Sequence, residues 1–334
     1  MIERIINKND LIAVMMLELT DRRQDLKELN KKGLIKIKRV ARKLIAFVKR
    51  NSGDIFLPSN IKKQLKDFKS SPENCRASFI DKQINPVELA KRYEKVGIKV
   101  DRVEINIKDF ENWMGRYSSL IDYYKAMGDV FIEKVLEHYL THKYCMVKRS
   151  DVFIDVAASG SPWADILSTQ GNKAYKLDLS YPSGINGIKI GTDAGNTGLP
   201  DNFADVLALH CAYECFYGDA DIRFISEAER ISRNGGRIGI IPLYTNNIYY
   251  NKTSPYCDQR KVQIDPEAKK IWRDDSYKVP FRRHYSPEKF KTRIYAQIGS
   301  MKCKILYFTD LDELMEKYKK QQIYCHFMLY CEKA

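Results

Sequence analysis

The chain predicts an α/β protein: a doubly wound, mostly parallel sheet of seven strands, preceded by a mainly helical N-terminal region. After Ser150 short apolar runs alternate with helical stretches, the pattern of parallel strands joined by crossover helices. The last two runs flank a single helical stretch, and no further helix follows them. Before Ser150, apolar residues recur mainly at helical spacing.

In chain order, Asn9-Asp10 is placed to cap a helix through Leu11, Met15, Met16 and Leu19, and Gly33 interrupts the pattern. Ile37, Val40, Ala41, Leu44, Ile45 and Val48 then share one helical face, with Lys38, Arg39, Arg42, Lys43 and Lys49 on the others. Residues 1–56 thus form a helical region carrying a basic amphipathic helix. Residues 57–102 are polar and poorly periodic, broken at Pro58, Pro72 and Pro86, and read as a linker or small subdomain. In 103–149, Val103–Ile107 alternates like a short strand. Two helical stretches follow, Phe110–Met127 and Asp129–Tyr144, separated at Gly128 and forming a helical cap with aromatics placed for packing.

Residues 150–334 hold the seven strand runs: Val152–Val156, Ala174–Leu179, Ile188–Gly191, Ala204–Leu209, Arg237–Pro242, Lys302–Phe308 and Tyr324–Cys331. A long insertion, 244–293, separates the fifth from the sixth. It is rich in aromatics and arginines, including Tyr249, Tyr250, Trp272, Tyr277, Arg273, Arg282 and Arg283.

Composition narrows the function classes. The chain has 334 residues, 44% hydrophobic and 30% charged, values of a globular protein with a sizeable core. No apolar run approaches the roughly 20 residues that span a bilayer, and the N-terminus lacks a signal-peptide pattern, which reads as cytoplasmic. The eight cysteines contain no C-x-x-C pair, and most lie in apolar runs where a reduced cysteine packs as a small hydrophobe. No group of residues stands out as a metal site. The net charge of +14 is concentrated where Glu28–Asp54 encloses no acid but nine basic residues, Lys31 to Arg50. Such a segment suits an anionic membrane surface, packing on the rest of the chain or on a second copy, or, less well, nucleic acid.

Ligands of a doubly wound sheet bind at the carboxyl ends of its strands. The first run ends in Asp155, followed by the small residues Ala157, Ala158, Ser159, Gly160 and Ser161 before a helix. Small residues let the backbone approach a ligand, and the helix start offers unpaired N–H groups. The second ends in Asp178, 23 residues after Asp155, where a carboxylate can accept from both hydroxyls of a ribose. The third ends in Gly191-Thr192-Asp193-Ala194, where an acid can accept from an adenine amine. The fourth ends in His210, with Tyr213 and Glu214 just beyond, and Asn234-Gly235-Gly236-Arg237 opens the fifth.

In this order and spacing the motifs resemble those of the class I S-adenosylmethionine-dependent methyltransferases, with their Rossmann-like sheet, especially the branch acting on small molecules, sugars and lipids. The resemblance spans residues 150–334 and implies that the last strand, Tyr324–Cys331, runs antiparallel. It implies S-adenosylmethionine as cofactor, its methionine part held by Asp155 and Ala157–Ser161, its ribose by Asp178 and its adenine by Asp193 and Ala194. It implies His210 facing the sulfonium and acceptor. The family carries glycines where this chain has Ala157, Ser159 and Ser161, and a turn repositioned onto Gly160 would compensate.

His210 and His284 are the candidate general bases. Tyr213, Glu214, Tyr244, Arg282 and Arg283 are the candidate acceptor-binding residues, since arginines among aromatic faces suit a sugar or an acidic group. The leading expectation is O-methylation of a sugar or glycan, free or lipid-linked, at the cytosolic membrane face. The alternatives are an RNA methyltransferase and a methyltransferase-like scaffold that has lost catalysis. A homo-oligomer is compatible with each.

Overall fold

The computed structural model describes residues 57–334 apart from Ser276. The basic helix over Lys31–Arg50 lies outside the described residues. The chain divides into two compact units, Met1–Ser70 and Ser71–Ala334. In the first, the described element is the helix Ser59–Lys69, which buries Ile61 and Leu65. All that follows concerns the second.

Its central sheet contains β1 (Val100–Val103), β2 (Val152–Val156), β3 (Lys173–Asn186), β4 (Lys189–Gly191), β5 (Ala204–His210), β6 (Ser232–Ile241), β10 (Lys302–Phe308) and β11 (Phe327–Glu332). Their order is β1-β10-β11-β6-β5-β2-β3-β4. Neighbours run parallel except around β11, which is antiparallel to both β10 and β6. The seven expected strands are present, and β1 adds an eighth at the edge. The strand read at Val103–Ile107 falls earlier, at Val100–Val103, because Asn106 caps the helix Ile107–Arg116 by accepting from the Asp109 N–H at 2.9 Å.

The period-2 pattern of the strands divides their side chains between two apolar layers. On one face Ile154, Val156, Leu207, Leu209, Ile305 and Leu329 join Leu89, Tyr93, Phe224 and Phe290. On the other, Phe153, Val206, Ala208, Leu306 and Met328 meet Phe110, Trp113, Leu136, Tyr139 and Trp163. The aromatics of the 103–149 stretch are therefore largely packing residues. The expected break at Gly128 is real, with φ +70° and ψ −123° between the helices Ser118–Tyr124 and Phe131–Tyr144.

Several elements ahead of β2 belong to this body. The helix Pro86–Lys95 is capped by Asn85 with Pro86 in its first turn, and buries Leu89, Ala90 and Tyr93. The 244–293 insertion folds as a second sheet, β8-β7-β9, from β7 (Tyr250–Thr253), β8 (Lys269–Trp272) and β9 (Arg282–His284). The Tyr93 hydroxyl bonds Thr245 at 2.9 Å, and Arg92 holds Glu288 with two bonds of 3.0 and 2.6 Å.

The cysteines depart from expectation. The β10/β11 register sets Cys303 directly opposite Cys331, and the two form a disulfide where reduced thiols were expected. The other six remain free. No described helix is long and apolar enough to cross a membrane.

Candidate functional site

From β2 the chain steps outward through β3 to β4, then returns to the other side of β2 for β5 and β6. The strand order therefore reverses between β2 and β5, and a crevice opens at their carboxyl ends. Asp155 of β2 and His210 of β5 meet there: His210 Nδ1–H donates to Asp155 Oδ1 at 3.0 Å, and their side chains are only 2% and 5% exposed. His210 Nε2 lies 2.8 Å from the Thr141 hydroxyl, and the ring packs on His138 with centroids 3.9 Å apart. Both ring nitrogens of His210 are thus engaged.

The turn after β2 is built tightly. Ser161 Oγ donates to Asp155 Oδ2 at 2.6 Å and accepts from the Trp163 N–H at 3.2 Å, tying the turn to the helix Trp163–Thr169. The turn does not pivot on Gly160, whose φ is unexceptional. Ala157 itself takes the left-handed conformation, φ +56°, where the resembling family carries glycine. Asp178 accepts from the Ser159 N–H at 3.1 Å and from the Ser180 N–H at 2.8 Å, so its carboxylate faces the turn. β3 does not end at Asp178: it runs on to Asn186 and folds back on β4, with its ladder shifted from Ser183 onward. Gly191 permits this approach, since a side chain there would strike the Pro182 carbonyl. Asp193 accepts from the Gly195 N–H at 2.8 Å and pairs with Arg223 at 3.1 Å, and Ala194 is buried. Three adjacent strand ends thus carry a small-residue turn and two half-buried carboxylates on one edge of the sheet. This donor and acceptor set fits an adenosyl cofactor.

Beside it lies a cleft of ≈ 850 Å³ whose lining includes Cys211 after β5, Pro242–Thr245 after β6, and Lys134, Lys252, Arg273, Arg282, His284 and Tyr324. Cys211 is held at φ +50°, with its sulfur 3.3 Å from the Tyr244 hydroxyl. Burial, reinforced by Glu214, pushes the Cys211 thiol up to about 12, so it is not a thiolate at neutral pH. His284 stacks on Tyr250 at 4.3 Å, and its Nε2 has no hydrogen-bond partner among the described residues. Burial, then the nearby Lys252, Arg282 and Arg273, hold its pKa well below the ordinary value, leaving a neutral imidazole.

Of the expected acceptor residues, Tyr244 and Arg282 line the cleft and Arg283 does not. On β9 Arg282 faces the cleft, whereas the next residue points the other way. Arg283 is fully buried, gripping Asp265 with two bonds of 2.9 and 3.0 Å, Asp221 at 2.9 Å and the Phe216 and Gly218 carbonyls. Tyr213 is also buried, its hydroxyl donating to the Asp221 carbonyl at 3.0 Å. Glu214 is buried behind Arg282, 3.8 Å from its Nε.

The helix Phe131–Tyr144 supplies a wall that sequence reasoning missed. Glu133, Lys134, Glu137, His138 and Thr141 form a polar stripe on it, almost wholly buried. Lys134 pairs with Glu137 at 2.7 Å, Glu133 accepts from the Tyr324 N–H at 2.9 Å, and His138 meets the Tyr124 hydroxyl at 3.0 Å. Burial raises the Glu133 carboxyl to about 7 and the Glu137 carboxyl to about 8, the latter only partly offset by Lys134. The stripe's spacing matches that of a solvated helix face, so the one available signal was its density of ionisable groups beside apolar Val135, Leu136 and Leu140.

The order β4-β3-β2-β5-β6-β11-β10, with β11 alone antiparallel, decides the fold. It is the class I methyltransferase fold. No family model matches the chain, and neither does any curated protein sequence. Solved structures do. One is the 1,6-didemethyltoxoflavin-N1-methyltransferase of Burkholderia thailandensis with 1,6-didemethyltoxoflavin and S-adenosylhomocysteine bound, at 12% identity, covering 66% of this chain and 90% of that one, TM-score 0.41. A second is an S-adenosylmethionine-dependent methyltransferase of Mesorhizobium loti, at 14% identity over 59% and 98%, TM-score 0.39. A third, from Archaeoglobus fulgidus, gives 13% identity over 60% and 94%, TM-score 0.36. Relative to the seven strands of the methyltransferase fold, this chain adds β1 at the edge, the β8-β7-β9 sheet and the polar stripe of Phe131–Tyr144.

Proposed function

We propose that the protein is an S-adenosylmethionine-dependent methyltransferase whose small-molecule acceptor sits in the cleft beyond β5 and β6. The observation that carries this reading is the junction of the two sites. Asp155 and His210 clasp each other across the switch point, the small-residue turn follows one of them, and Cys211, a cleft residue, follows the other. When bound, the cofactor supplies a methyl group already activated by its sulfonium.

The chain's own residues divide the remaining work. Asp178 accepts from the ribose hydroxyls, Asp193 and Ala194 receive the adenine, and the Ala157–Ser161 turn accommodates the methionine part. His210, with both nitrogens engaged, acts as a positioning residue for Asp155. His284 is the better candidate for the base: it is neutral, faces the cleft, and has an unpartnered Nε2 able to accept an acceptor hydroxyl's proton. We assign the acceptor to the sugar or glycan class, methylated on oxygen, because aromatic walls and arginines line its seat.

Calorimetric titration of S-adenosylhomocysteine into the wild type and Asp178→Ala tests this reading. Micromolar binding by the wild type, weakened at least about tenfold in the variant, is expected from the loss of charge-assisted bonds to the ribose. No binding by the wild type would overturn it and favour a scaffold role.

A further inference from the structure

We propose that the cleft selects an acceptor bearing an oxyanion, a carboxylate or phosphate, gripped by Arg282 and Arg273. This deepens the methyltransferase reading and rests on it only in calling the ligand an acceptor.

The cleft's own charges do not cancel. Lys134, Lys252, Arg273 and Arg282 line it, against the carboxylates Asp81 and Asp275. Each of those acids is already matched: Asp81 takes Lys252 and the Tyr250 hydroxyl, both at 3.0 Å, and Asp275 takes Arg273 with two bonds of 2.9 and 2.6 Å. Lys134 bonds Glu137 on its own helix at 2.7 Å. Arg282 forms a 3.8 Å ion pair with Glu214 that is too long for a hydrogen bond, so its Nε–H is left unmade.

Two donors remain unused. Arg282 Nε and Arg273 Nη1 are buried atoms with no hydrogen-bond partner among the described residues, and the Arg273 side chain is only 9% exposed. Buried guanidinium N–H groups left unmade are costly, and guanidinium geometry matches the oxygens of a carboxylate or phosphate. Lys252, Arg273 and Arg282 also crowd together closely enough to depress His284 jointly. A cluster of like charges around one unprotonated imidazole is relieved by a bound anion. Tyr244 and Tyr324 flank it, offering faces for an attached ring.

The test compares charged and neutral partners of one shape: benzoate against benzamide, and phenyl phosphate against phenol, titrated into wild type, Arg282→Met and Arg273→Met. At least one anion is expected to bind the wild type roughly tenfold or more tighter than its neutral partner. Arg282→Met should remove most of that preference and leave the neutral probes unchanged. The benzoate and phenyl phosphate arms tell carboxylate from phosphate. Equal binding of charged and neutral partners, no binding of either anion, or a preference that survives both variants would overturn the proposal. If a variant loses its fold by circular dichroism, the wild-type preference decides. S-adenosylhomocysteine is titrated into the same samples. Cofactor binding without anion preference sinks this inference alone, whereas anion preference without cofactor binding sinks the methyltransferase reading alone.

Discussion

Replacing Arg283 by methionine should destabilise the protein severely, and more than the same change at its neighbour Arg282. Arg283 is fully buried and centres a network with Asp265 and Asp221. Removing one partner of a buried ion pair typically costs about 3–5 kcal/mol, because the other charge is left behind. Here part of that is cushioned. Asp265 keeps the Tyr249 hydroxyl at 2.6 Å and Asn251 at 2.8 Å, while Asp221 keeps Arg293 at 2.8 and 2.9 Å and the Tyr285 hydroxyl at 2.6 Å. The Phe216 carbonyl nonetheless loses its 2.7 Å donor. The expected loss is therefore near the lower bound, about 3 kcal/mol. At roughly 2–4 °C per kcal/mol in a domain of this size, Tm should fall by about 6–12 °C. Arg282, 25% exposed and in one 3.8 Å ion pair with buried Glu214, makes fewer and longer contacts than Arg283, and its replacement should lower Tm by less. Differential scanning calorimetry of the two variants settles the matter. An Arg283→Met protein melting within about 2 °C of wild type would refute the assignment of Arg283 to structure.

Two further outcomes are expected. Ala157→Gly should stabilise by up to about 1.5 kcal/mol, the relief of a left-handed alanine (about 1–2) less the entropy of an added glycine (about 0.5–1), read as a higher urea midpoint; a lower midpoint would contradict the turn's geometry. Glu133 and Glu137 hold protons in the folded state up to about 7 and about 8, whereas the unfolded chain releases them near the ordinary 4.5. Their contribution is therefore full below about 4.5 and is lost as pH rises through 7 to 8; above about 7, where the buried histidines no longer add stability with rising pH, Tm should fall up to pH 8.5, and Glu137→Gln should flatten the decline. A wild-type Tm that holds level or rises over that interval would show the two carboxyls to be ionised in the fold.

The sheet was legible because most of its strands are short apolar runs, although no helix separates β3 from β4 or β4 from β5, and the antiparallel end was legible through the resemblance. Asp155 and Asp193 were easily placed because they lie at or just past the ends of β2 and β4, whereas β3 runs on beyond Asp178 to Asn186. β1 was displaced by three residues because alternation in Val103–Ile107 competes with a helix cap at Asn106 that periodicity ignores. The strands β7, β8 and β9 are only four, four and three residues long and mix charged with apolar residues, too little for a pattern to declare itself. The different fates of Arg282 and Arg283 follow from which face of β9 looks into the cleft, and composition cannot supply that. Burial hid the Glu133–Thr141 stripe in the same way, since a helix periodicity shows which residues share a face but not what covers it.

The walls of the cleft come from both sides of β2: Asp81, Met127 and Lys134 precede it, and Arg273, Arg282 and Tyr324 follow. A recombinant fragment trimmed to begin at β2 would keep the strand ends proposed to meet the cofactor. It would lack six of the 22 residues that line the cleft. It would also strip β1 from β10, turning a paired strand into an open template for aggregation. The shortest fragment that keeps the whole lining of the cleft therefore starts near Ser71.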